Sequence, residues 1–186
     1  MHIEGPFAQG GQEGRIDVRV QNSEGEGTLQ VQDLELDLVR AGDALFIRGD
    51  RSFYRQFGGA QAAKVLDGKW LRGSPDEPQL RAAADFLSLD ALIENLLTPE
   101  GALEKVGEQT VDGQRALVLR DTEGRDSVAI ALDGEPYPLE LTSRTTGNDG
   151  GSGKLSFSRW GERFEVRAPA PADVVDPSQL PAPSPS

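Results

Sequence analysis

Residues 49–73, GDRSFYRQFGGAQAAKVLDGKWLRG, carry aromatic and aliphatic residues at helical spacing between two runs that read as strands. Asp50 or Ser52 can cap a helix holding Phe53, Phe57, Ala60, Val65 and Leu66, and Gly58-Gly59 weakens or breaks it. A lone apolar helix between strands must cover something. It either closes a filled core or lies as a lid over a space for an apolar guest.

Outward from this stretch, apolar and polar residues alternate strictly. The pattern runs through Ile16, Val18 and Val20; Leu29 and Val31; Leu34, Leu36 and Leu38; Val128, Ile130 and Leu132; Tyr137, Leu139 and Leu141; Leu155 and Phe157; Phe164 and Val166. Period two means strands with one dry face and one wet face. The phase slips by one residue after Val31, so a turn or bulge near Gln32-Asp33 is expected. SEGEG at 23–27, Gly42-Asp43, Asp112-Gly113, Asp133-Gly134 and GNDGGSGK at 147–154 separate the runs. Such short junctions point to an antiparallel meander of about ten strands, long enough to curl.

Helices are expected only in the middle. Pro78 to Leu97 carries one stripe of Leu80, Ala83, Ala84 and Leu87 and a second of Leu89, Leu92, Ile93, Leu96 and Leu97. Thr98-Pro99 ends it. The expected class is therefore α+β: a strongly curved antiparallel sheet, a half-barrel, with a few helices covering its concave face. Residues 1–168 form one domain in this reading. From Pro169 a Pro/Ala/Ser-rich tail follows, holding six of the 12 prolines, and its end is expected to be disordered.

Composition removes several functions. The 186 residues carry a formal charge of -12 with Lys and Arg scattered, which repels phosphate backbones and argues against nucleic acid. No cysteine is present, so a thiolate metal site is excluded. The one histidine, His2, is expected at a frayed terminus, and without a second histidine or a cysteine no Ser/His/Asp or Cys/His scheme exists. Asp33, Glu35 and Asp37 read as a solvated strand face rather than an acid–base pair. DTEGRD at 121–126 lacks a calcium-loop layout. GNDGGSGKL fails as a phosphate loop, with Asn148 where a glycine is needed and Leu155 where a hydroxyl is needed. No cofactor or resident metal is expected, and the chain reads as non-enzymatic. No run reaches the roughly 20 apolar residues of a membrane span.

Several segments taken in order resemble one family. RAGDALFIRGDRSFYRQFGG, then DGKWL, VDGQRALVL, DGEPYPLELTS and SFSRWGERFEVRAPAPADVVDPSQL are similar to successive segments of actinobacterial LppX/LprG-type lipoproteins. That family is related in fold to the periplasmic Lol lipoprotein carriers. The resemblance implies a half-open barrel around a hydrophobic cavity, an acylated lipid or glycolipid as partner, a membrane transporter as a further partner, and a monomer. It also implies export and anchoring to the outer face of the cytoplasmic membrane through a lipidated cysteine, with the leader and lipobox standing where Met1 now begins.

On this reading Leu34, Leu36, Leu38, Val128, Ile130, Leu139, Leu141 and Phe157 line the sheet side of a lipid cavity. Phe53, Phe57, Trp70, Leu92, Ile93 and Leu96 line the lid side. Arg51, Arg55, Lys64, Lys69 and Arg72 stand near its mouth, where anionic headgroups would sit, or are ordinary solvated charges. The competing reading is a cell-envelope interaction module with a filled core and no lipid cargo.

Overall fold

The computed structural model describes residues 1–9, 12–78, 80–99, 101–123, 126–144 and 151–176. Among these, twelve strands form one sheet: β1 (His2–Gln9), β2 (Gln12–Gln21), β3 (Glu24–Val31), β4 (Leu34–Ala41), β5 (Ala44–Gly49), β6 (Trp70–Gly73), β7 (Leu103–Val111), β8 (Gln114–Asp121), β9 (Ser127–Ala131), β10 (Pro138–Arg144), β11 (Gly151–Ser158) and β12 (Val174–Val175). The helices are α1 (Arg51–Val65), α2 (Arg81–Asp85) and α3 (Leu89–Leu97). The strand order is β12-β6-β5-β4-β3-β2-β1-β11-β10-β9-β8-β7. The class is α+β, as expected. Most strand pairs follow the antiparallel meander; β1 instead pairs antiparallel with the distant β11, and β12 lies parallel to β6.

Two-residue hairpins explain the phase slips. Val31 faces Leu34 across Gln32-Asp33, so Leu29, Val31, Leu34 and Leu36 share one face although their numbers change parity. Val111 faces Gln114 across Asp112-Gly113, whose φ values of 48° and 82° are both positive, as a type I′ turn requires. Helix α1 begins as the sequence suggests: the Phe53 N–H donates to Asp50 Oδ1 at 2.7 Å. Its glycine pair breaks it, with Gly59 at φ 74°, ψ -176°.

One expected strand is absent. Phe164 to Val166 alternates but forms no ladder. The Gln21 side-chain amide takes the place of a neighbouring strand, donating to the Phe164 carbonyl at 2.8 Å and accepting its N–H at 3.3 Å. Conversely, Val174–Val175, inside the Pro-rich segment, pairs with Trp70 and Leu71. Lys69 Nζ ties down that segment by donating to the Ala172 carbonyl and to Asp173 Oδ1, both at 3.0 Å. The end of the tail and residues 145–150 of the glycine-rich loop lie outside the described residues.

The chain forms two compact units. One comprises Met1–Asp17 and Asp90–Glu162, the other Val18–Leu89 and Arg163–Ser186. In the second unit, Val18, Val20, Leu38, Leu45 and Leu87 have no exposure. Gly25 leaves the room that lets Leu87 reach Val20: a Cβ there would stand 3.0 Å from Val20 and 3.3 Å from Leu87. The Tyr54 hydroxyl fastens α1 to its strands. It accepts the Gly49 N–H at 3.1 Å and faces the Ile47 and Lys69 carbonyls at 3.3 and 3.0 Å, so one side chain joins α1, β5 and the start of β6.

In the first unit, β1 and β11 approach closely because of two glycines. A Cβ on Gly5, at φ 149°, would lie 2.1 Å from the Lys154 carbonyl oxygen, and one on Gly153 would lie 2.6 Å from that of Pro6.

Replacing Tyr54 by Phe leaves the Gly49 N–H without its acceptor and is expected to cost about 1–3 kcal/mol in denaturant unfolding. Burial pushes the Tyr54 phenol above the ordinary tyrosine value near 10. The raised folded pKa means this stability is present below about pH 10 and is lost as pH climbs past the folded value, so wild type and Tyr54→Phe should converge at alkaline pH. Gly5→Ala should lose roughly 3 kcal/mol or more, since backbone must move. Gly113→Ala, with open space around it, should lose only about 1–2 kcal/mol.

Candidate functional site

Each unit presents an apolar sheet face with a helical segment against it. In the second unit, cross-strand pairs Leu29–Leu36, Val31–Leu34, Leu38–Ile47 and Ile47–Leu71 place these side chains on one face. Tyr54, Ala63 and Leu66 of the α1 region form a buried cluster there, with Phe53, Leu71 and Val175 packed on it. The Phe53 ring and Leu36 crowd Gly49 so closely that a Cβ would stand 2.5 Å from one and 3.0 Å from the other. Leu38 is fully buried, but Leu29, Val31, Leu34, Leu36, Phe53 and Leu71 are only half-buried.

Trp70 stands apart from that set. As the neighbour of Leu71 in a strand it points to the opposite face, against the buried Val39, Ala44 and Phe46. The Arg48 guanidinium lies 4.6 Å from its ring centroid and is held by Asp37 at 2.7 Å. Asp37 is thus an ion-pair partner on that face.

In the first unit, Leu117 pairs with Ile130, Leu119 with Val128, Val128 with Leu141, and Leu141 with Leu155, so all six share one face. Phe157, two residues beyond Leu155, pairs with Ile3 on the same side. Leu141, Leu155 and Phe157 are buried, whereas Leu117, Leu119, Val128 and Ile130 are half-buried.

Leu139 is separated from Leu141 despite the shared parity. A bulge between Pro138 and Glu140 turns it to the other face, where it clusters with Val111, Ala116, Ala129 and Ala131. In α3, Leu92 is buried and Ile93 is 39 % exposed. The side chains of Phe57 and Leu96 lie outside the described residues.

Where α3 ends, Leu97, Thr98 and Pro99 face Leu119, Val128 and Leu141 across a cleft of about 50 Å³, closed by Leu103, Asp121, Asp126 and Ser127. That volume holds one or two waters. The cleft's wall is apolar and one end is acidic. Asp121 is 5 % exposed and accepts the N–H groups of Gly101 and Glu123 at 3.1 and 2.8 Å. The enclosed Asp126 Oδ1 has no hydrogen-bond partner among the described residues.

The basic residues expected at a cavity mouth divide. Arg51 pairs with Asp67 and Lys69 with Asp173, while Arg55, Lys64 and Arg72 are exposed. Sequence reading missed one grouping altogether. His2 is half-buried in β1, its Nε2 2.8 Å from Asp17 Oδ1, with Glu4 beside them. Fifteen residues separate the two partners, so only the pairing of strands brings them together.

No protein-family model matches the chain, and no curated protein matches it. Among solved structures, the chain is similar to the crystal structure of the Mycobacterium tuberculosis lipoprotein LppX, with 16 % sequence identity and a TM-score of 0.48 over 89 % of this chain and 88 % of that one.

Proposed function

We propose that the protein is a non-enzymatic lipid-binding or lipid-carrier lipoprotein domain that holds acyl chains against the apolar sheet faces beneath its helices. The observation that carries this reading is the half-burial of whole apolar rows: Leu117, Leu119, Val128 and Ile130 in one unit, and Leu29, Val31, Leu34 and Leu36 in the other. A filled core buries such rows as completely as Leu38 and Leu45 are buried here. Contiguous rows left open suit an apolar guest.

Transfer of an acyl chain onto such a face is worth about 0.8 kcal/mol per methylene removed from water, so binding calls on no catalytic group. The cargo on this reading is an acylated lipid or glycolipid, carried by a monomer that exchanges it with a membrane transporter. The protein is exported and anchored to the outer face of the cytoplasmic membrane. On this reading Leu34, Leu36, Val128 and Ile130 are the sheet-side contacts, with Phe53 and Ile93 contributing from the helices, while Leu38, Leu92, Leu141 and Phe157 are taken up in packing.

A second reading, a protein-interaction module, draws on β7. Among the described residues this edge strand pairs only with β8, and it leaves Leu103 50 % and Val106 47 % exposed, a surface on which a partner's strand can add.

Native mass spectrometry with solvent extraction, on protein purified from an actinobacterial host, should find one stoichiometric acylated species. Ile130→Asp and Leu36→Asp should each reduce the retained lipid about tenfold or more, with the circular dichroism spectrum unchanged. A clean apo mass with no uptake of added phospholipid or glycolipid would overturn the lipid reading and leave strand addition at β7.

A further inference from the structure

We propose that His2, Glu4 and Asp17 form a binding site for a divalent transition-metal ion, with Zn²⁺ as the fitting example. The period of a strand places His2 and Glu4 on the same face of β1, and β2 lies beside β1 in the sheet and brings Asp17 to them. One imidazole nitrogen and one oxygen from each carboxylate all lie within 4.8 Å of one another. Zinc takes imidazole nitrogen and carboxylate oxygen at roughly 2.0–2.2 Å, so donors sharing one tetrahedral ion stand roughly 3.3–3.6 Å apart. Small side-chain rotations on a fixed sheet close that difference.

The imidazole is oriented for ligation from behind. Ser158, its cross-strand partner on β11, has Oγ 3.4 Å from His2 Nδ1. Without an ion, Nε2–H donates to Asp17 Oδ1 at 2.8 Å; with one bound, Nδ1–H would donate to the Ser158 hydroxyl and leave the Nε2 lone pair for the metal, the arrangement that fixes the tautomer of metal-bound histidines.

Charge favours a cation as well. Glu4 is half-buried and its carboxylate makes no hydrogen bond or ion pair among the described residues, while the neighbouring Lys154 is taken up by Glu140 at 2.8 Å. Two carboxylates beside a neutral imidazole carry a charge of about -2, which a divalent ion matches. Three protein ligands leave a fourth position for water. The His2–Asp17 hydrogen bond is the arrangement the ion displaces. A bound ion would join β1 to β2 in the first unit, a role independent of lipid binding.

Isothermal titration calorimetry and native mass spectrometry of the whole chain with Zn²⁺ near neutral pH test this. Expected is one ion per chain, with affinity weakened at least about tenfold in Glu4→Gln and in Asp17→Asn and lost in His2→Ala. The isosteric variants should keep the wild-type circular dichroism spectrum. Binding no tighter than millimolar would overturn the site. Binding lost in His2→Ala but unchanged in both carboxylate variants would overturn it too, because the imidazole would then be acting with the chain's amino group alone.

Discussion

The close pairing of β1 with β11 is the constraint on which most of the first unit depends. Strands nearly the whole chain length apart are held at a distance that only glycine permits at positions 5 and 153. Pro6, whose carbonyl makes the second of these contacts, donates no N–H, and the ladder passes from Glu4 to Phe7. This pairing aligns Ile3 with Phe157 and, through β10, extends the dry face to Leu141 and Val128. It also sets His2 against Ser158, which orients the imidazole toward Glu4 and Asp17.

Each unit divides its two sheet faces differently. In the second, one face is locked by Trp70, Phe46, Val39 and the Arg48–Asp37 pair, a closed cluster with a cation on its aromatic ring. The other receives α1, pinned by the Tyr54 hydroxyl, yet leaves its row of leucines half-open. In the first, small residues close one face, with Ala116, Ala129 and Ala131 packed beneath Leu139 and Val111. Larger residues remain partly open on the other. The open face in each unit is the one carrying the branched aliphatic rows, and apolar surface of that kind accepts a flexible hydrocarbon without requiring a polar match.

Much of this was legible in the sequence, because period two and Asp-Gly or Gly-Asp junctions are local signals. The cap at Asp50 and the break at Gly59 were legible for the same reason. What escaped were features decided by partners distant in sequence. Phe164 looks like a strand residue, but the Gln21 amide satisfies its backbone instead. Leu139 and Leu141 share parity, yet a single bulged residue puts them on opposite faces. Trp70 reads as a lid aromatic by position, whereas the pairing of Leu71 with Ile47 turns it away from α1. The grouping of His2 with Asp17 is invisible without the neighbouring strand.

The claim that the half-buried rows bind hydrocarbon is tested most directly by calorimetry with straight-chain fatty acids of increasing length, from about ten to about sixteen carbons. If the chain lies along an apolar face, each added methylene contributes about 0.8 kcal/mol, and Kd should tighten roughly fourfold per carbon until the face is covered. An affinity that does not change with chain length, or no binding at any length, would contradict the account.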